Sequence, residues 1–336
     1  MSLPPAPDRL ILPDGTTPFG TYAGPMGPVD LSTTREVQQR SALWISAHRK
    51  RWIYAFVTSN RYTIAVAVVH LGYAGTAFVA VLDRKTRAML YEHASRTLPN
   101  FVHVGRRSEQ GCDAQFRGPG ARVAFARPLG SSRYTLTVDT VGLRLHATLD
   151  SRGAPSPVSA ICPVPKGAVN VTTKRVLMPT HGVLSVGGEI DQLQDAWGGM
   201  DYTQGALARD TQWRWAFGMG TSKDGRKVGF NLVDEFNQGK ECIIWIDDLI
   251  VPTVSADFEF DEDHPLSPWK IRTRDGYMTL HFHPDAMHAE RTNLGLLRSC
   301  FVQPMGTFSG TIRVPEKGEL LLDGVSGVAE NQRVVW

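Results

Sequence analysis

Six polar residues between positions 201 and 237 have the side-chain types that acid–base chemistry needs. They are Asp201, Tyr202, Arg214, Asn231, Glu235 and Asn237. A carboxyl group in an apolar cavity resists ionisation and can act as a general acid. Adding water across a double bond requires such an acid, together with aromatic walls that stabilise cationic character. Asp201 or Glu235 could supply the proton while Arg214 orients the reacting groups. The alternative is a structural arginine–carboxylate pair that closes one end of a barrel.

The sequence around Arg214 predicts a β-hairpin. Two alternating segments, 213–217 and 228–232, flank a Gly-containing turn. Because successive side chains of a strand point to opposite faces, Arg214 is expected opposite Trp215 and on the same face as Asn231. A guanidinium within aromatic β-structure is costly unless it is paired, so this hairpin suggests a site.

Tryptophan is concentrated in the second half of the chain, where six of the eight tryptophans follow residue 190. Aromatic residues in strands usually belong to a core, but this enrichment also suits a ligand cavity. The candidate ligand-binding residues are therefore Tyr202, Trp213, Trp215, Asn231, Asn237 and Trp245.

Two histidines, His281 and His283, follow an Asp-Gly turn and alternate with apolar residues, so both imidazoles are expected on one strand face. The pair could bind a metal with His288, Asp285 or Glu290 as third ligand, although the spacing is not diagnostic. It could instead supply a catalytic base that lines a cavity, or form a solvent-facing polar surface. We predict no metal site and keep both histidines as candidate catalytic residues.

Motifs for several other chemistries are missing from the sequence. It contains no Gly-x-Ser-x-Gly motif and no Gly-x-Gly-x-x-Gly motif that would follow a strand and open a helix. The four cysteines are far apart and lack zinc-site spacing. We therefore expect no nicotinamide, nucleotide or other cofactor.

The charge balance argues against a nucleic-acid partner. The chain has 36 basic and 33 acidic residues, so its net charge is only +3. A surface that binds the phosphate backbone of a nucleic acid usually has a larger excess of basic residues. The short basic runs 48–51 and 106–107 are expected to be solvated. No signal peptide and no apolar run of about 18 residues is visible. With reduced cysteines, these features predict a cytoplasmic protein without a transmembrane segment.

Many short strands separated by Gly, Asp-Gly and Pro turns predict an all-β protein. We expect two packed antiparallel lipocalin-like barrels or sandwiches with few short helices. The predicted organisation is an extended lead-in over 1–30, a first β-barrel domain over 31–150 and a second over 170–336. A Pro- and Gly-containing linker at 150–157 marks the boundary region, near 150–170.

A series of motifs resembles the bacterial family of domain of unknown function 2804. The motifs are Lys50-Arg51-Trp52-Ile53-Tyr54, Asp201-Tyr202-Thr203-Gln204-Gly205, Trp213-Arg214-Trp215 through Gly218, Gly229-Phe230-Asn231-Leu232, Pro268-Trp269-Lys270-Ile271-Arg272 with Asp275-Gly276, and Gly327-Val328-Ala329-Glu330 to Trp336. The family is more distantly similar to tandem lipocalin-like (calycin) proteins such as carotenoid hydratase and tocopherol cyclase. This resemblance implies paired barrels and an apolar, often terpenoid or aromatic, ligand.

The residues and the resemblance together predict a cofactor-independent lyase or isomerase with hydratase- or cyclase-like acid–base chemistry. Its substrate would be a hydrophobic terpenoid or aromatic small molecule. Asp201 would be the acid, Arg214 the orienting group and Glu235 an alternate acid, with His281 and His283 as base or supporting groups. The alternatives are a non-enzymatic carrier of a lipid or apolar metabolite and a His-ligated metal-dependent enzyme.

Overall fold

Two curled antiparallel sheets make up almost all of the regular structure, one as a nearly closed barrel and one as a half-barrel. The computed structural model describes residues 3–234, 236–293, 295, 297–315 and 317–336. The predicted all-β class is confirmed. Helices in the described ranges are short: α1 (Arg35–Gln38), α2 (Ala42–His48) and the 3-10 turns Leu31–Thr33, Pro99–Phe101 and Phe236–Gly239. None of these helices could cross a membrane.

The first sheet contains fourteen strands within the described part of the chain. They are β1 (Gly20–Ala23), β2 (Arg49–Thr58), β3 (Tyr62–His70), β4 (Gly75–Asp83), β5 (Ala88–Thr97), β6 (Val102–Val104), β7 (Cys112–Gly118), β8 (Ala121–Arg127), β9 (Arg133–Thr140), β10 (Leu143–Asp150), β11 (Val158–Pro163), β12 (Val169–Val186), β13 (Glu189–Gln192) and β14 (Ala196–Ala206). The main order is β5-β4-β3-β2-β14-β12-β10-β9-β8-β7-β6. Strand β6 returns to contact β3, so the sheet curls nearly into a closed barrel.

The second sheet has nine strands among the described residues, in the order β18-β17-β16-β15-β23-β22-β21-β20-β19. They are β15 (Asp210–Thr221), β16 (Lys227–Val233), β17 (Ile243–Ile246), β18 (Leu249–Pro252), β19 (Ala256–Glu259), β20 (Trp269–Thr273), β21 (Met278–Asn293), β22 (Arg298–Val314) and β23 (Gly318–Val335). Aromatic rings fill its core, where Phe230 meets Phe308 edge to face with centroids 4.9 Å apart.

The chain divides into two units whose boundary differs from the sequence-based one. The first unit comprises Met1–Val81 and Leu90–Arg209, and the second comprises Leu82–Met89 and Asp210–Trp336. Residues 170–209, expected in the second domain, belong to the first unit. The reason is strand pairing, because β12 pairs with β10 and β14 pairs with β2 in the first sheet.

Strands β2 and β14 are buried on both faces. Their register pairs Ile53 with Tyr202 and Trp52 with Thr203. Ile53 and Tyr202 belong to the apolar core of the first unit, and we call this side of the sheet the inner face. Alternation places Asp201 and Thr203 on the opposite, outer face. Both are buried there, so polar groups on either face need partners within the protein.

Candidate functional site

Asp201 lies on the outer face of β14 in a buried ion pair. Its Oδ2 is 2.7 Å from Lys174 Nζ, and the two side chains are 10% and 4% exposed. Trp52 Nε1 donates to the same oxygen at 3.3 Å. Thr203 Oγ1 donates to Oδ1 at 3.0 Å, and Thr172 Oγ1 is 3.1 Å from that atom. We call Asp201, Lys174, Trp52, Thr172 and Thr203 the Asp201 cluster.

Aromatic rings border the Asp201 cluster on the outer face. Tyr54 is directly opposite Asp201 in the β2–β14 register, and Trp52 is opposite Thr203. Tyr54 is 5% exposed and its ring lies 6.3 Å from that of Phe78. A carboxylate, an ammonium and aromatic groups are thus combined on a face of the sheet away from the unit's apolar core.

Lys50 is a second buried cation on the outer face. Its ammonium donates to the carbonyl oxygens of Ala47 at 2.6 Å and Leu71 at 2.8 Å. It also lies 4.7 Å from the Tyr73 ring centroid. Burial lowers the pKa of Lys50 to about 7, because the amine is easier to bury uncharged.

The expectation that the run 48–51 is solvated was wrong. Lys50 is fully buried, and Arg49 and Arg51 are half-buried. The cause is that Arg49 begins strand β2, so alternation turns the arginines to the inner face and Lys50 to the outer face.

Tyr202 lies on the inner face, where its side chain helps to hold the curled sheet closed. Its hydroxyl donates to the carbonyl oxygen of Gly105 at 2.9 Å. Gln204 Nε2 donates to the same carbonyl at 2.7 Å and also to the Tyr202 hydroxyl. Burial raises the pKa of Tyr202, so the phenol is neutral at physiological pH. These bonds tie β14 to the residue that follows edge strand β6.

The hairpin predicted around Arg214 is confirmed, with a different distribution of side chains between its faces. Phe217 pairs with Asn231 across β15 and β16, so Asn231 shares a face with Trp215. Trp215 Nε1 donates to Asn231 Oδ1 at 2.8 Å. The expectation that Asn231 shares a face with Arg214 was wrong, because the register that pairs Phe217 with Asn231 places Asn231 on the face of Trp215 and Phe217.

Arg214 is placed beside an acidic side chain near the surface of the second unit. Its Nη2 is 3.5 Å from Glu262 Oε1, in a pair whose side chains are 30% and 44% exposed. The guanidinium also lies 5.9 Å from the Phe260 ring centroid. The charge partner of Asp201 is Lys174, so an orienting role of Arg214 toward Asp201 stays a prediction. Glu235, the alternate acid, lies outside the residues that the structure describes.

The other proposed ligand residues of the second unit take part in buried polar contacts or core packing. Trp213 Nε1 donates to Glu330 Oε1 at 2.6 Å. Asn237 has a left-handed φ of 57°, and its Nδ2 donates to Glu241 Oε1 at 2.6 Å. Trp245 is fully buried in β17. Ligand contact by these residues stays a prediction.

His281 and His283 lie on one exposed face of β21, while Leu280 and Phe282 between them are buried. His283 Nε2 is 3.3 Å from the Ser309 hydroxyl. Within the described ranges, no group of three His, Cys, Asp or Glu side chains is placed to hold a metal ion. The position fits the solvent-facing interpretation of the pair.

Sequence reasoning missed Lys174 and Thr172, two of the polar groups that contact Asp201. Lys174 and Thr172 come from 169–175, an apolar and β-branched strand that carries two consecutive cations. That unusual pairing was the available signal. It also missed Glu330, whose Oε2 accepts from Gln303 Nε2 at 2.6 Å in the second unit.

Comparison with solved structures supports the fold. The crystal structure of CghA with Sch210972 has a TM-score of 0.56 and 11% identity, and covers 99% of this chain and 98% of that one. A second CghA structure has a TM-score of 0.54 and 11% identity, with 86% and 88% covered. Kievitone hydratase from Nectria haematococca has a TM-score of 0.48 and 13% identity, with 87% and 90% covered. The two CghA structures share the fold of this chain, and at 11% identity they show the fold alone.

Sequence comparison identifies the family. No curated protein matches the sequence. The model of the family described as domain of unknown function (DUF2804) matches residues 5–336. The resemblance stated from the sequence motifs is therefore confirmed, and the chain belongs to the DUF2804 family.

Proposed function

We propose that this protein is a cofactor-independent enzyme of the lyase or isomerase class that acts on an apolar terpenoid or aromatic small molecule. The observation that supports the proposal is the Asp201 cluster. A carboxylate and an ammonium are buried together beside Trp52 and Tyr54, on the face opposite the unit's apolar core. A buried ion pair contributes little net stability, since desolvation offsets its attraction. A buried ion pair beside aromatic rings therefore suits a functional role better than a stabilising one.

The cluster has the groups that a proton-transfer reaction requires. In an isomerisation or elimination, one group takes a proton from carbon and another stabilises the charge that develops. The carboxylate of Asp201 can accept that proton, and the carboxylic acid so formed can exchange its proton with solvent and deliver one to a second carbon atom. The ammonium of Lys174 stabilises negative charge, and the faces of Trp52 and Tyr54 stabilise positive charge. Neither role needs a redox cofactor.

The experiment is turnover of a panel of terpenoid and aromatic alkenes in deuterated water, read by mass spectrometry. A lyase or isomerase of this type places solvent deuterium on a carbon atom of its product. We expect Asp201→Asn to lower the rate by about 100-fold or more, the usual contribution of a general acid or base. Asp139→Asn is the matched control, because Asp139 is in the same unit with a side chain that is 60% exposed.

A second variant separates catalysis from folding. Asp201→Asn removes one charge of a buried ion pair, whereas Asp201→Asn/Lys174→Met removes both charges, and we expect the double variant to fold. A folded double variant that still incorporates deuterium at the wild-type rate contradicts the proposal. If native mass spectrometry shows a co-purified lipid and no substrate in the panel exchanges, the protein is a carrier instead.

A further inference from the structure

A group of basic side chains lies on the inner face at one end of the first unit's barrel. Arg49 and Arg51 are at the start of β2, and His70 is at the end of β3, directly opposite Arg51. Gln204 is near the end of β14 and is also paired with Arg51. Because these strands are antiparallel, all four residues come to the same end of the sheet. We call Arg49, Arg51, His70 and Gln204 the inner basic cluster.

The inner basic cluster has more positive charge than its surroundings compensate. Asp30, the carboxylate that acts on Arg49, is bound by Arg106 at 2.8 Å and also caps the backbone at Ser32. Among the described residues, no carboxylate forms an ion pair with Arg49 or Arg51. Arg51 Nη1 donates to the carbonyl oxygen of Val104 at 3.2 Å, which leaves its charge uncompensated.

Burial and the neighbouring positive charges both lower the pKa values of Arg51 and His70. Burial, followed by the charge of Arg49, lowers the pKa of Arg51 to about 10. Burial, followed by the charges of Arg51 and Arg49, lowers the pKa of His70 to about 4. His70 is therefore neutral at physiological pH. Its Nδ1 accepts from the Gly72 amide at 3.0 Å, so the ring proton is on Nε2.

Several polar atoms of the cluster are buried without a hydrogen-bond partner in the described structure. They are Arg49 Nε, Arg51 Nε and Gln204 Oε1. Gln204 is 0% exposed. Leaving a buried donor of a charged group unpaired costs more free energy than leaving a neutral donor unpaired. Two such donors, carried by arginines at alternate positions on one face of β2, are hydrogen-bond donors of the kind that bind oxyanions.

We propose that Arg49 and Arg51 form a binding site for an oxyanion, the carboxylate or phosphate group of a small molecule. The anion accepts from the Nε–H groups of both arginines and neutralises their repulsion. Arg49 and Arg51 are themselves half-buried, and the neighbouring Arg106, whose charge acts on both, has a side chain that is 58% exposed. It is independent of the chemistry proposed for Asp201, because the two groups occupy opposite faces of the sheet.

The test is titration of the full-length protein with three probes: inorganic phosphate, decanoate and the neutral analogue decanol. The readouts are calorimetry and the NMR resonances of the arginine Nε–H groups. We expect saturable binding of an anionic probe that shifts the Arg49 and Arg51 resonances. Tighter binding of decanoate than of phosphate identifies the acidic end of an apolar ligand, and comparable binding identifies a free oxyanion.

Two variants and a control make the test decisive. Arg51→Gln is expected to weaken anion binding by about tenfold or more, as loss of a charge-assisted hydrogen bond should. Arg49→Gln, which breaks none of the described hydrogen bonds, gives the same result if Arg51→Gln does not fold. Arg144→Gln is the control, because Arg144 has an 81% exposed side chain in the same unit. Absence of saturable anion binding, or equal binding by all three variants, overturns the proposal.

Discussion

At the residue scale, the buried charges of the first unit differ in how well they are compensated. Asp201 has an ammonium, an indole and two hydroxyl groups within hydrogen-bonding distance. Lys50 has two backbone carbonyl groups and an aromatic ring, which are weaker partners for a full charge. Breaking the first arrangement should therefore be costly, whereas neutralising the second should be favourable.

The Asp201–Lys174 pair should behave as a coupled unit in unfolding experiments. Asp201→Asn removes the carboxylate that lies 2.7 Å from the buried Lys174 ammonium, and we expect it to lower the free energy of unfolding by about 3–5 kcal/mol. The double variant Asp201→Asn/Lys174→Met should recover most of that loss. Urea denaturation of the wild type, both single variants and the double variant measures the coupling. Additive losses would contradict the ion pair.

Lys50 should make stability depend on pH. The unfolded lysine titrates near its usual 10.5 and the folded one near 7, so between these values the unfolded chain binds more protons. The contribution of Lys50 to unfolding free energy should then rise with pH across this window, by up to about 1.4 kcal/mol per pH unit. Below pH 7 the full cost of the buried charge is present.

Lys50→Met removes this titration and gives the measurement. The difference in unfolding free energy between wild type and Lys50→Met should change in favour of wild type between about pH 7 and about pH 9. Other titrating groups cancel in the difference. Parallel pH profiles of the two proteins would show that the folded lysine titrates like the unfolded one.

At the element scale, the β15–β16 hairpin is fixed by a polar contact within an aromatic face. Trp215 Nε1 donates to Asn231 Oδ1, and Asn231 Nδ2 donates to the carbonyl oxygen of Glu241 at 2.8 Å. The rings of Trp215 and Phe217 are stacked with centroids 5.4 Å apart. The amide of Asn231 therefore links the two strands of the hairpin to each other and links the hairpin to the segment that precedes β17.

Asn231→Leu should destabilise the second unit. The substitution leaves a buried indole N–H and a buried carbonyl group without this partner, which we expect to cost about 2–4 kcal/mol in total. Thermal unfolding measures the loss. In the Asn231→Leu protein, Trp215→Phe should cost less than it does in the wild type, because the hydrogen bond from the indole to Asn231 is already absent. An equal cost in both backgrounds would rule out the hydrogen bond.

At the scale of the whole molecule, the reactivity of the four cysteines measures how tightly the protein is packed around each of them. All are free; Cys112, Cys162 and Cys242 are buried and Cys300 is half-buried. Burial raises the pKa of Cys242 to about 12 and also raises that of Cys112, which suppresses the reactive thiolate. We expect iodoacetamide to modify Cys300 alone in the native protein and all four in urea. Mass spectrometry of digested protein locates the label, and native labelling of Cys242 would contradict this packing.

The fold class could be predicted from local features of the sequence. Short alternating segments and frequent Gly-containing turns specify antiparallel strands, since both signals arise within a few residues. The 213–232 hairpin followed from the same signals and is confirmed. The family also followed from the sequence, because its motifs extend along most of the chain.

The extent of the first sheet could not be predicted this way. Strand β14 pairs with β2 although Asp201 and its partner Tyr54 are 147 positions apart in the chain. Local composition indicated a linker at 150–157, but the sheet continues beyond it to β14. Pairing between distant strands depends on which apolar faces can be buried together, and no local window contains that information.

The sequence by itself determined that Arg214 and Trp215 point to opposite faces of a strand, because alternation is a property of the backbone. It also determined that carboxylate, guanidinium and aromatic groups are available. The tertiary structure decided which groups meet: Asp201 meets Lys174, and Asn231 meets Trp215. Such contacts depend on strand order and register, and a shift of one residue exchanges every side chain between the two faces.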